Sequence, residues 1–140
     1  MTADCTRLAR LRRLEKVRAM AKDQAARDAA EAEGTLAQLD ALVARTRAMA
    51  ADYVQARPVD GLALRHIGKF VSGLEGIAHA TTGNAEQARA LADRKQAELA
   101  QAERRRAVVE DRLDAARRHL AQRGELPALG GRSPLGTALE

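Results

Sequence analysis

A chain of 140 residues whose only aromatics are Tyr53 and Phe70, with no Trp, lacks the large side-chain volume that a thick globular core requires. Its Ala-, Leu-, Arg-, Glu- and Gln-rich composition is that of extended helices pairing along a seam. The formal charge of +5 is too mild to demand a nucleic-acid partner by itself, and a lone Cys5 excludes an intramolecular disulfide and fits a reducing compartment.

Asp4 can cap a helix expected over about 5–56, because no proline interrupts the chain before Pro58. The helix opens with RLARLRRLEKVRAMAKDQAAR at residues 7–27, in which Glu15 and Asp23 are the only acids among many Arg and Lys side chains. Leu8, Leu11, Leu14 and Val17 recur every three residues there and are expected to enter a seam that continues through Ala25, Ala29, Ala32, Leu36, Leu39, Val43, Thr46, Ala50 and Tyr53.

Residues 57–61 form a turn: Pro58 disfavours helix at Arg57, and Asp60 can cap the next helix. That second helix, about 62–123, alternates steps of three and four without a slip from Leu64 through Val71, Ala78, Ala92 and Val109 to Leu120. Fourteen of the seventeen positions in this row are apolar; Thr81, Lys95 and Arg106 are the exceptions. A period of 3.5 residues held this long specifies a coiled coil, since an unsupercoiled helix drifts toward 3.6.

A short turn between two long helices favours an antiparallel hairpin. The expected fold is therefore all-α, a long antiparallel two-helix coiled-coil hairpin over 1–123 with a disordered, flexible tail over 124–140, where GELPALGGRSPLGTALE is rich in Pro and Gly. Folding at the turn places Tyr53 by His66, Val43 by Gly76, Leu36 by Gly83 and Ala25 by Arg94 or Lys95. Small residues then meet in an Ala-rich waist that removes little apolar area. Gly68, Gly73, Gly76 and Gly83 weaken the second helix, with a kink or fraying expected over residues 79–84.

Two helices offer almost no concave site for catalysis, and no phosphate loop, dinucleotide fingerprint or zinc-protease motif occurs, so no enzyme activity and no cofactor are expected. His66, His79 and His119 are scattered, and His119 stands one heptad step from Arg112 in a cationic segment unsuited to a metal. No apolar run reaches the roughly 18 residues of a membrane span, and the first residues lack the apolar core of a signal peptide. Two surfaces remain informative. Antiparallel pairing brings the basic opening beside the Arg-rich stretch 104–123. Leu42, Met49, Phe70 and Ile77, bordered by Tyr53 and Leu74, form an apolar patch beside the seam, either a partner site or a widened seam.

The opening LARLRRLEKVRAMAKDQAAR at residues 8–27, the central turn and the Arg-rich close of the second helix together resemble the flagellar export protein FliJ family and its relatives in injectisome type III secretion. The resemblance covers roughly residues 5–123. It implies a cytoplasmic, stalk-like coiled coil, peripheral at the inner membrane, whose terminus-bearing end docks in the export ATPase hexamer and promotes its assembly and activity. It also implies contacts with the export-gate membrane protein and with substrate chaperones. Gln38, Leu42, Phe70 and Leu74, with Ile77 one turn on, look like the family's gate-binding stripe. Met49 and Tyr53 lie along it, although Arg45 and Met49 stand where an aromatic is expected. Arg10, Arg13, Lys16, Arg117 and Arg118 are the expected ring contacts. The alternatives are a generic adaptor coiled coil and, with less support, a basic nucleic-acid-binding hairpin, which lacks aromatics among its arginines and carries acids beside its second cluster.

Overall fold

The structure, a computed structural model, describes residues 2–58 and 60–125. Two α-helices occupy them, α1 (Thr2–Gln55) and α2 (Gly61–Glu125), and they pack against each other. No described helix is long and apolar enough to cross a membrane. The chain divides into two units, one of Met1–Ala19 with Arg105–Glu140, the other of Met20–Arg104. From residue 126 on, the expected tail lies outside the described residues, and α2 continues through Gly124 to Glu125 rather than ending at 123.

In the larger unit three cross-helix contacts fix direction and period together. Arg47 donates to Thr82 Oγ1 at 3.4 Å, Arg89 pairs with Asp40 at 3.5 Å, and the Gln96 amide donates to the Glu33 carboxylate. Moving seven residues forward on α1 moves seven backward on α2, which defines an antiparallel coil in heptad register. Every position of the α2 row is buried or half-buried except Leu64. On α1 the row from Ala25 to Ala50 is buried or half-buried, and Ala29 is its most enclosed member at 1% exposure.

The register differs from the one expected by folding at the turn. Asp40 meets Arg89 rather than His79 and Arg47 meets Thr82 rather than Ser72, while Tyr53 meets Phe70 edge-on and shares a hollow with His66 as expected. The link explains the offset. After the Ala56 N–H bonds the Tyr53 carbonyl, residues 56–58 leave the helix, and α2 starts beyond the last turn of α1 instead of level with it. Leu62 and Leu64, at 62% and 58% exposure, consequently have no α1 residue opposite.

Asp60 caps α2 as expected: its Oδ1 accepts the Ala63 N–H at 2.7 Å and its carbonyl accepts the Leu64 N–H at 3.1 Å. Asp4 does not cap α1, which already begins at Thr2; Asp4 lies in the first turn and pairs with Arg123 at 2.6 Å. Residues 79–84 form uninterrupted α-helix, so the expected kink is absent as a break, and Thr82 Oγ1 returns a 2.7 Å bond to the Ala78 carbonyl. An added Cβ at any of Gly68, Gly73, Gly76 and Gly83 would meet nothing within 4 Å: they face open space, away from the seam.

The smaller unit is antiparallel too, with Asp4 against Arg123 and Glu15 against Arg106 at 3.5 Å. Its seam corrects the leucine stripe. Leu8 and Leu11 are half-buried, but Leu14 and Val17 are exposed at 37% and 58%. A spacing of three throughout rotates each residue about 60° behind the last on a 3.6-residue helix, so four such residues cannot share one face. The seam passes instead through Glu15 and Arg18, and both of these are half-buried.

Candidate functional site

Side chains just before and just after a seam residue line opposite flanks of an antiparallel pair. In the larger unit the residues after the seam are Glu33, Asp40 and Arg47 on α1 with Thr82, Arg89 and Gln96 on α2, and they close their flank with the polar ladder described above. The residues before the seam are Leu42 and Met49 on α1, preceding buried Val43 and Ala50, with Phe70 and Ile77 on α2, preceding buried Val71 and Ala78.

All four remain between 40% and 53% exposed. Tyr53 joins them through an edge-on contact with Phe70, ring centroids 4.7 Å apart and planes at 65°. The two rings, with His66 and Ile67, line a shallow open hollow of about 230 Å³. Gln38 is exposed one turn before Leu42. Leu74 departs from the group: it is half-buried and lines a separate cavity of about 500 Å³ with Arg47, Val54 and Glu75, on the polar flank. Ile67 and His66 were not singled out as site residues from the sequence, because Ile67 reads as one more seam position.

The arrangement is an apolar strip with an aromatic notch, walled on the far side of the coil by charge. It suits capture of an apolar partner surface.

In the smaller unit Arg10, Arg13 and Lys16 are exposed on α1, fanned across its outward face by their spacing of three, and have no ion-pair partner among the described residues. Arg117 and Arg118 are exposed on α2 but turn toward their own helix, Arg117 to the Asp114 carboxylate at 3.5 Å and Arg118 Nε to the Asp114 carbonyl at 3.4 Å. The five expected basic contacts therefore do not converge on one point. A different set does: Arg7, Arg112 and His119, which precede seam residues Leu8, Leu113 and Leu120, share the wall of a cavity of about 270 Å³. The heptad step from Arg112 to His119 carried that signal in the sequence, and pairing with α1 added Arg7.

A scan of known protein families, of curated proteins and of solved structures finds no match for this chain.

Proposed function

We propose that the chain is a non-enzymatic component of the bacterial flagellar type III protein export apparatus, a coiled coil of the FliJ kind that docks in the export ATPase ring and binds the export gate. The observation that carries this reading is the asymmetry of the larger unit: an exposed apolar strip of Leu42, Met49, Phe70 and Ile77 opposite a flank closed by polar pairs. A coil built only for support has no use for an unpaired strip of this kind, and the opening at residues 8–27 supplies the family resemblance.

In this reading Gln38, Leu42, Met49, Tyr53, Phe70 and Ile77 engage the gate protein, while Leu74, seated on the polar flank, supports the coil beside them rather than touching the gate. Arg10, Arg13 and Lys16, together with Arg117 and Arg118, meet acidic surface in the ATPase ring. The protein then works in the cytoplasm, held at the inner membrane through its partners, with substrate chaperones as a third class of contact.

Stimulation of a cognate export ATPase by the purified protein tests the reading. Faster hydrolysis and more hexamer are expected; no change in either sinks it and leaves a generic adaptor coil. Gate binding is expected to fall about thirtyfold or more with Leu42→Ser and Phe70→Ser combined, as for loss of apolar anchors at an interface centre, roughly 2 kcal/mol or more, and to change little between 50 and 200 mM salt. Steep salt dependence instead points to a polyanion such as nucleic acid.

A further inference from the structure

We infer that the cavity walled by Arg7, Arg112 and His119 is a receptor for a carboxylate-bearing segment of a partner protein. The inference stands on the cavity and its charges and does not require the export reading.

Arg112 and His119 stand seven residues apart on α2, hence on one side of a coiled-coil helix, and Arg7 reaches the same opening from α1. Ala115 and Ala116 leave the space between them hollow, and Leu120 completes an apolar floor. Asp4 is the only acid in the wall among the described residues, and its Oδ2 already accepts a 2.6 Å bond from Arg123. Arg106, Arg117 and Arg123 of the same unit all have carboxylate partners, whereas neither Arg7 nor Arg112 has one among the described residues.

Two unpaired guanidiniums and an imidazole around one hollow form a positive well. A guanidinium fork matches the two oxygens of a carboxylate, and bonds of this charge-assisted type are about twice as strong as neutral ones. The apolar floor decides what carries the charge. A glutamate on a docking helix lays its methylenes over Ala115, Ala116 and Leu120 while its carboxylate meets Arg7 and Arg112. A free phosphate leaves that floor uncovered. Nucleic acid finds no stacking platform here, since Tyr53 and Phe70 both belong to the other unit.

The probe is an acetylated, amidated Ala/Glu helical peptide with glutamates four apart, alongside its Gln counterpart and inorganic phosphate, each titrated into the full-length protein and followed by backbone and His119 ring NMR signals. The Glu peptide is expected to shift Ala115, Ala116 and His119, and the Gln peptide is not. Arg7→Gln with Arg112→Gln is expected to weaken binding roughly tenfold or more, as for loss of charge-assisted contacts. The equal-charge control Arg12→Gln with Arg104→Gln is expected to weaken it less than about twofold, as for distant screened charges. Ala115→Leu, which fills the hollow without touching the charge, is also expected to weaken it, and circular dichroism confirms the helix in each variant. Equal weakening by both double variants overturns the proposal in favour of diffuse attraction. Phosphate binding as tightly as the peptide overturns it in favour of a simple anion site, and absence of binding overturns it outright.

Discussion

At Arg18 and Arg106 the seam of the smaller unit breaks the rule that a coil interior is apolar. Arg106 bonds Glu15 at 3.5 Å and Glu110 at 2.9 Å, yet its Nε and that of Arg18 are buried with no hydrogen-bond partner among the described residues. An unsatisfied buried donor costs about 1–3 kcal/mol, and an apolar residue of similar volume usually does better. Arg18→Leu is therefore expected to stabilise the protein by about 1 kcal/mol, read as a higher urea midpoint; a lower midpoint would mean that the arginine has a partner in solution. Asp60→Ala removes the 2.7 Å cap on α2 and is expected to cost about 1 kcal/mol. By contrast, Arg89 and Asp40 are both well exposed, and a double-mutant cycle on them is expected to give less than about 0.5 kcal/mol.

The two helices owe their continuity to spacing rather than to propensity. Glycine in a helix interior costs roughly 0.8–1 kcal/mol against alanine, yet α2 runs unbroken through Gly68, Gly73, Gly76 and Gly83 because its other face is held by the seam. With helical φ and open space around each, Gly76→Ala and Gly83→Ala are expected to add about 0.5–1 kcal/mol apiece, measured by thermal unfolding. The seam itself tolerates the opposite change poorly. Ala29, Ala85 and Ala92 are at most 5% exposed, so the backbones approach closely there, and Ala29→Leu is expected to destabilise by about 1–3 kcal/mol through overpacking. A gain in stability from Ala29→Leu would show that the waist is loose.

Across the whole molecule burial is unequal. Among the described residues, the buried apolar side chains of the smaller unit are Val109 and Leu113, while Ala29, Ala32, Val43, Ala50, Val71, Ala78, Ala85 and Ala92 all belong to the larger. Local opening free energy follows buried apolar contact, so backbone amides of residues 8–18 are expected to exchange roughly tenfold or more faster than those of 36–50. Uniform protection in hydrogen exchange would contradict this. What the sequence alone determined is the all-α class, the two helices, the Asp60 cap and nearly all of the α2 seam, because a 3.5-residue period and a capping side chain are properties of neighbours along the chain. It was also enough to pick out the exposed apolar strip, since each of its four members sits one place before a seam residue. Register belongs to the tertiary structure, because the 56–58 link carries the chain past the end of α1 before α2 begins, and no local pattern records that distance. The same holds for the polar seam at Glu15, Arg18 and Arg106, for the seating of Leu74 on the polar flank, and for the meeting of Arg7 with Arg112 and His119. Each depends on which residue of one helix stands opposite which of the other, and that is settled only when the two surfaces pack.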